Sequence, residues 1–377
     1  MKYKIYGKTE KKVSAIGMGG MRFNMEKPLQ ESAELLHYAL EKGINYFDTA
    51  PQYHEGKSEE IFGIAFKQMP RDNFFVSTKL MPERITNADD AYEKVCLSLE
   101  KMHVDHIDFF HVWCIRKMEH YFDAMRQDGL YEALLRAKDE GLINHIVFSS
   151  HQQGDEVQKI IQSGVFEGVL LGVNILNFPY RWDGVLAAQH QGMGVVAMNP
   201  LAGGLIPQNE DKLRFLTSEG ETPTEAALRF LVGCPEITVA LNGFSCEEHI
   251  DMACEVAENA RPFSEEELNR VKSNLTDSTI NICTACGYCD TCPKDIPILK
   301  YMQLYNNRVL FDISEEKMIE DMAFQHEWGL LGEDNSWADA CIACGRCERS
   351  CTQHLPIITR LKDIAKWEAA SKKPLKV

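Results

Sequence analysis

Two short stretches hold eight cysteines at regular intervals: Cys283, Cys286, Cys289 and Cys292, then Cys341, Cys344, Cys347 and Cys351. A CxxCxxC run turns three thiolates toward one face of a 4Fe-4S cube and leaves the fourth iron to a cysteine from elsewhere. Two such runs can exchange fourth ligands. The spacing therefore predicts one cube on Cys283, Cys286, Cys289 and Cys351 and a second on Cys341, Cys344, Cys347 and Cys292. Zinc is the competing occupant, but it takes cysteines as two pairs and has no use for a third at the same interval. The first run spaces its last cysteine by two residues instead of three, and the second is followed by Thr352 where the two-cluster pattern has proline. Both lead into similar turns, Asp295-Ile296-Pro297 and His354-Leu355-Pro356, as a duplicated half-motif would. The chemistry implied is the passing of single electrons; the plainer alternative is that the cubes only staple a small domain.

A second set of residues could move protons. Asp48 and Tyr53 in Asp48-Thr49-Ala50-Pro51-Gln52-Tyr53, Lys79 in Ser77-Thr78-Lys79, and His111 in Asp108-Phe109-Phe110-His111 each stand where, or just after, an apolar run stops. Singly they read as a turn residue, a surface phenol, a snorkelling lysine and a core histidine. Together they suit acid–base work: a tyrosine of ordinary pKa near 10 is a poor proton donor until an ammonium stabilises its phenolate. Lys79 is expected to supply that charge, Asp48 to hold the lysine, and His111 to orient a carbonyl oxygen and share with Tyr53 the hydrogen bonding of that oxygen.

The elements that must position these groups alternate from the start to about residue 260. Strand-like runs occur at Val13–Gly17, Ile44–Thr49, Phe74–Thr78, His106–Val112, His145–Ser149, Gly168–Val173, Gly194–Ala197 and Ile237–Ala240. Helical stretches between them include Ser32–Leu40, Ala91–Met102, Leu130–Lys138 and Pro223–Leu231. Eight βα units fit an α/β fold of the closed TIM (β/α)8 type, whose chemistry sits at the C-terminal ends of the strands. Tyr3–Tyr6 and Lys12–Ala15 flank a turn, an N-terminal hairpin (3–15) that could plug the barrel floor. Leu201–Glu221 is a long loop, and Ser264–Ser273 one more helix. The barrel is expected over 1–270. A small α-helical ferredoxin-like domain holding two 4Fe-4S clusters is expected over 275–377, with a helix around Tyr301–Leu310 and an irregular segment through Trp328 and Trp337.

A formal net charge of −16 over 377 residues argues against nucleic acid or an anionic membrane as partner and leaves room for a basic electron carrier or cofactor patch. The first residues carry no apolar leader-like region, which predicts a cytoplasmic protein. The remaining five cysteines, Cys96, Cys114, Cys234, Cys246 and Cys254, are scattered and read as small buried hydrophobes.

The barrel residues resemble the aldo-keto reductase family. The resemblance rests on Asp48-Thr49-Ala50 with Tyr53 and Ser58-Glu59-Glu60, on Ser77-Thr78-Lys79, on His111, on Phe148-Ser149-Ser150-His151, and on Pro200-Leu201-Ala202-Gly203-Gly204. The tail, from Cys283 to Pro297 and from Asn335 to Lys366, is similar to that of the branch carrying a C-terminal ferredoxin-like domain. The resemblance implies reduction of a small carbonyl substrate, Asp48, Tyr53, Lys79 and His111 as catalytic tetrad, and Tyr53 as proton donor. It implies NADP(H) or NAD(H) held by Gly19, Met21, Asp48, Ser149, Pro200, Leu201, Gly243 and Ser245. Three positions differ from the family pattern: Leu170, four residues before Asn174, stands where a glutamine binds the carboxamide, Met198 where an aromatic stacks on the nicotinamide, and Met252-Ala253 where a Glu-Asn pair contacts adenine. Gly243-Phe244-Ser245-Cys246 offers no lysine or arginine for a 2′-phosphate. Two alternatives follow. In one, the clusters, supplied by ferredoxin or another carrier, feed electrons to a substrate or a flavin without nicotinamide. In the other, the chain is an electron-transfer subunit and the barrel a docking scaffold.

Overall fold

The computed structural model describes the chain except residues 153, 276–280, 312, 328–330, 332–336 and 372–377, so Trp328, Asn335 and the start of the expected second domain lie outside the described residues. It divides into two units, Met1–Leu201 with Leu216–Arg270, and Ala202–Phe215 with Val271–Val377.

The first unit opens with an antiparallel hairpin of β1 (Tyr3–Ile5) and β2 (Lys12–Ser14). Eight parallel strands then close on themselves: β3 (Ile16–Gly19), β4 (Tyr46–Asp48), β5 (Phe75–Leu80), β6 (Ile107–Ile115), β7 (Ile143–Ser150), β8 (Gly168–Leu171), β9 (Gly194–Met198) and β10 (Val239–Asn242), with β10 pairing back onto β3. The run Val13–Gly17, read as one strand, is two: Ser14 ends the hairpin and Ile16 starts the barrel. Both halves are buried, so hydrophobicity alone does not mark the corner.

Helices follow the strands in turn: α1 (Leu29–Glu41), α2 (Lys57–Phe66), α3 (Ala88–Met102), α4 (Met118–Met125), α5 (Leu130–Asp139), α6 (Gly154–Ile161), α7 (Trp182–His190), a short α8 (Leu205–Gln208), α9 (Pro223–Gly233) and α10 (Glu247–Asn259). Local sequence sets their ends. Before α9, the Thr222 hydroxyl accepts from the Glu225 amide while the Glu225 carboxylate accepts from the Thr222 amide, and Pro223 occupies the first helical position, where its missing N–H costs nothing.

Alternation along each strand decides which residues meet inside the barrel. Tyr46, Phe109, Val147, Leu170, Val196, Val239 and Leu241 form one apolar cluster there with Tyr6 and Val13, and Phe75 packs against it. Tyr6, from the hairpin, fills the floor, its ring 4.1 Å from that of Phe109. Gly168 and Gly194 make room for it: a Cβ at Gly194 would lie 2.2 Å from the Tyr6 ring. Two residues further along β4, β5 and β6 the same face carries Asp48, then Ser77 and Lys79, then His111 and Trp113. The apolar layer thus gives way to polar chemistry at the C-terminal ends of the strands.

The second unit contains α12 (Ile298–Phe311), α13 (Glu315–Glu327), α14 (Arg346–Ser350) and α15 (Ile357–Ser371), and α11 (Glu265–Asn274) spans the division between the units. Helix α13 lies where the sequence reads as irregular. Met302, Met318, Met322, Leu361, Ile364 and Trp367 form its core together with Cys283, Cys289, Cys347 and Cys351. The long loop after β9 consists of short helical turns, and most of it, Ala202–Phe215, belongs to this unit. Among the described residues no helix is long and apolar enough to cross a membrane.

Candidate active site and cysteine cages

Asp48, Tyr53, Lys79 and His111 come together above the apolar layer of the barrel. Lys79 and Asp48 form an ion pair that is almost wholly enclosed, 1% and 2% exposed, with Nζ on Oδ1. The other carboxylate oxygen, Oδ2, accepts from Ser77 Oγ at 2.7 Å, and Ser77 Oγ lies 2.9 Å from His111 Nε2. A hydroxyl has one proton to give. With that proton on Asp48, the Nε2 of a neutral His111 donates to Ser77. Burial pushes the His111 imidazole down to about 4, so it is neutral at physiological pH and the 3.9 Å approach of Nε2 to Asp48 is not an ion pair there. Burial likewise lowers the pKa of Lys79, and the Asp48 carboxylate opposes that.

Tyr53 follows β4 on a tight turn, with His54 and Glu55 in left-handed conformations. Its ring lies over Lys79, the ammonium 5.0 Å from the centroid, and edge-on to Trp113 at 5.6 Å. One sequence expectation is corrected. The Tyr53 phenol is held well above its ordinary pKa, by burial first and by the Asp48 carboxylate next, so the free site does not favour phenolate. In the free site His111 pairs with Ser77, because Ser77 and His111 sit on the same inward face of adjacent strands. Ser77 was legible only by parity: it stands two residues before Lys79. Trp113 reaches Tyr53 because β6 bulges between Val112 and Ile115, where Cys114 adopts φ 58°.

The residues expected to hold a nicotinamide dinucleotide line the strand ends less uniformly. Gly19 pairs with Asp48, Met21 is exposed, Pro200 is buried and Leu201 half-buried. Ser149 Oγ accepts from the Cys114 amide at 2.7 Å, and the exposed Ser245 lies 3.3 Å from His249 Nδ1. The loop at Gly243 is not without a cation: the Arg22 side chain lies directly on it, and a Cβ at Gly243 would meet Arg22 Cγ at 2.5 Å. Arg22 comes from the loop after β3, more than two hundred residues away in sequence, and so escaped local inspection. At the other end of the site Leu170 belongs to the apolar layer, and the Asn174 amide is spent on Asn199 O and the Leu176 amide. The Arg22 stem brings a cationic side chain beside this glycine, whereas Leu170 and Met198 carry no group that could hydrogen-bond a carboxamide.

In the second unit the cysteines line two cavities. One is bounded by Cys283, Cys286, Cys289 and Cys351, the other by Cys341, Cys344, Cys347 and Cys292. Each run thus meets the last cysteine of the other. The tight loops need left-handed residues at matching places, Ala285 and Gly287 in one, Ala343 and Gly345 in the other, with φ between 52° and 79°. Both Cys283 backbone groups are clamped by Asn306, at 2.7 and 2.9 Å. Burial pushes Cys283 up to about 12 and Cys347 up to about 11, so loading with metal must displace protons. Three cysteines at equal intervals joined by a fourth from the other run suit a 4Fe-4S cube better than one tetrahedral ion, which takes its cysteines as two pairs. Of the other five cysteines only Cys114 is fully buried.

The Aldo/keto reductase family matches residues 15–275, and a 4Fe-4S dicluster domain matches residues 282–357. The chain belongs to the aldo/keto reductase family and is an oxidoreductase carrying a 4Fe-4S domain. The uncharacterized oxidoreductase YqkF of Bacillus subtilis (strain 168) is 25% identical over 308 residues, 73% of this chain and 96% of that protein. L-glyceraldehyde 3-phosphate reductase of Escherichia coli (strain K12) is 25% identical over 342 residues, covering 76% and 95% of the two chains. NADH-specific methylglyoxal reductase of the same strain is 27% identical over 216 residues, 51% of this chain and 63% of that one. In fold, the chain is similar to the holo form of an aldo-keto reductase, AKR11C1, from Bacillus halodurans, with TM-score 0.62 and 23% identity over 72% of this chain and 96% of that chain.

Proposed function

We propose that this protein reduces the carbonyl group of a small aldehyde or ketone at the mouth of its barrel, with Tyr53 as proton donor, and that two 4Fe-4S clusters in the C-terminal unit exchange electrons singly with an outside carrier. The observation that carries the reading is the enclosed Asp48–Lys79 pair beneath Tyr53, tied through Ser77 to a neutral His111. A scaffold has no need of a buried ammonium under a phenol. Gly243 and Arg22 are among the residues that would hold a nicotinamide dinucleotide, and that group would supply a hydride to the carbonyl carbon. As the C=O π bond breaks, the oxygen takes the Tyr53 proton, and the Lys79 ammonium steadies the phenolate left behind. Asp48 fixes Lys79, and Ser77 with His111 fixes Asp48. The raised pKa of the phenol keeps that proton in place until an oxyanion develops. Small aldehydes with a hydroxyl or carbonyl oxygen on the neighbouring carbon are the substrate class to screen, because the similar reductases above are named for glyceraldehyde 3-phosphate and methylglyoxal.

A second reading is favoured by Leu170 and Met198: the carboxamide end is apolar, the nicotinamide does not bind, and the clusters feed a flavin or the substrate directly. Anoxic titration with NADH and NADPH, following tryptophan emission, to which Trp113 beside Tyr53 contributes, separates the two. Saturable quenching by either nucleotide with aldehyde-dependent oxidation supports the first reading; no response to either supports the second.

A further inference from the structure

We infer that the two cysteine cages are unequal in redox poise: a cluster held by Cys283, Cys286, Cys289 and Cys351 takes up an electron at the higher potential, so an electron arriving at the exposed cage of Cys292, Cys341, Cys344 and Cys347 passes inward. The inference rests on the reading of the cages as cluster sites given above.

The two halves of the unit repeat each other closely enough to be compared position by position. Cys283-Thr284-Ala285-Cys286-Gly287 matches Cys341-Ile342-Ala343-Cys344-Gly345, and Cys292-Pro293 with Pro297-Ile298-Leu299-Lys300-Tyr301 matches Cys351-Thr352 with Pro356-Ile357-Ile358-Thr359-Arg360. Because the last cysteines are exchanged, Thr284 and Thr352 line the first cavity, where Ile342 and Pro293 line the second. Lys294, Lys300 and Arg346 stand on the side of the second cage, but all three are exposed and screened by water. Three paired positions put polar groups at the first cage, Thr284, Thr352 and Arg360.

Arg360 is the strongest of them. It is 4% exposed, and its Nη2 donates to the carbonyl of Asn281, two residues ahead of Cys283, at 2.5 Å. Its guanidinium lies over the Tyr305 ring at 4.8 Å. Nη1 has no hydrogen-bond partner, and the side chain makes no ion pair, among the described residues. Cys283 and Cys351 are the sulfurs whose charge reaches it. A guanidinium stays charged, and a buried charge without a counter-ion is costly. The anion available to compensate it is the thiolate cluster itself. Tyr301, at the matching position on α12, is neutral and bonds the buried carboxylate of Glu368. A buried cation beside one cage, against the exposed and solvent-screened Lys294 and Arg346 at the other, favours the extra electron on the first.

The threonines act in the same direction. Thr352 Oγ1 lies 3.3 Å from Cys286 Sγ and is 1% exposed. Thr284 Oγ1 is buried and has no partner among the described residues. Hydroxyl protons turned to sulfur stabilise the more negative oxidation state. Ile342 and Pro293 have none to give. Access divides the cages the other way: Cys344 and Ile342 are exposed, the latter 58%, whereas the Thr284-Ala285 turn is covered by Gly203, where a Cβ would meet Thr284 O at 2.6 Å. Exposure also favours extra negative charge, so water raises the outer cage; an uncompensated buried guanidinium outweighs it because little solvent screens it. In the transfer, a low-potential one-electron carrier outside the protein is oxidised by one electron at the outer cage, and that electron moves to the inner one.

The test is an anoxic dithionite titration with mediator dyes, read by electron paramagnetic resonance, on wild-type protein, Arg360→Gln, Arg360→Lys and Thr352→Val, with iron and sulfide measured on each sample. Wild type should show two midpoints. Arg360→Gln should lower the upper one only, cutting the reduced-to-oxidised ratio at fixed potential roughly tenfold, about 59 mV for one electron. Arg360→Lys should keep most of the separation, and Thr352→Val, which removes one hydroxyl, should lower the same midpoint by less. Coincident wild-type midpoints, or a lower midpoint that responds to Arg360→Gln, overturn the inference. If Arg360→Gln fails to load, an unmoved upper midpoint in Thr352→Val overturns it. Wild-type protein without iron and sulfide would instead sink the cluster reading of the cages.

Discussion

Replacing Lys79 with methionine removes one half of an ion pair whose members are 1% and 2% exposed. The Asp48 carboxylate would keep Ser77 Oγ at 2.7 Å but lose its counter-charge. Breaking a buried pair by removing one partner costs about 3–5 kcal/mol, most of it the penalty of an uncompensated charge. Asp48→Asn leaves the ammonium stranded and should cost a similar amount. The double variant Asp48→Asn/Lys79→Met strands neither charge, so it should be more stable than the sum of the singles by about 2 kcal/mol. Unfolding of the whole chain is a poor reporter, because the two units need not unfold together. Amide hydrogen exchange in β4, β5 and β6 reads the opening of the barrel itself. At 1.36 kcal/mol per tenfold, each single variant should speed exchange there by roughly two to almost four orders of magnitude. If Lys79→Met changes it less than about fivefold, or the double variant equals the sum of the singles, the enclosed ion pair is not what the strand ends are built around.

His111 binds a proton near 6.5 when unfolded but only at about 4 when folded, so the unfolded state holds the extra proton between those values. Barrel stability should therefore fall as pH drops from 6.5 toward 4, by up to about 3 kcal/mol from this residue, and His111→Phe should flatten that part of the profile. His151, pushed down to about 3 by burial, acts in the same sense. Gly194→Ala should destabilise the barrel by about 1–3 kcal/mol, seen as faster amide exchange in β8 and β9, because the new methyl would stand 2.2 Å from the Tyr6 ring. Cys351→Ser should remove the cluster of the Cys283 cage and Cys292→Ser that of the Cys341 cage, each taking about four irons per chain as read by metal analysis.

The barrel could be read from the sequence because eight apolar runs recur with helices between them, and the ends of the runs could be read because Asp48, Lys79 and His111 break the hydrophobicity abruptly. What stayed hidden depends on contacts between distant parts of the chain. Ser77 looks like an ordinary strand residue until its neighbours on β4 and β6 are in place. Arg22 and Gly243 are paired only by closure of β10 onto β3. The direction of the Tyr53 shift depends on how much water the folded mouth excludes, which residue types do not encode. Helix α13 was missed because Glu315-Glu316-Lys317 and Glu320-Asp321 leave it few apolar positions, of which Met318 and Met322, one turn apart, carry its packing. The cage pairing could be read in outline because the cysteine spacing is itself geometric; the Arg360 and Tyr301 difference emerges only when the two halves are laid over each other.

The proton-donor role of Tyr53 is tested most directly by an anoxic single turnover of a small hydroxyaldehyde, with NADH and NADPH supplied in turn, in wild-type protein and in Tyr53→Phe. Wild type should form the alcohol in proportion to the nicotinamide oxidised. Tyr53→Phe, which keeps the ring against Trp113 but carries no proton, should lose about two to four orders of magnitude in rate while its iron content is unchanged. Equal rates of alcohol formation in the two proteins would contradict the account.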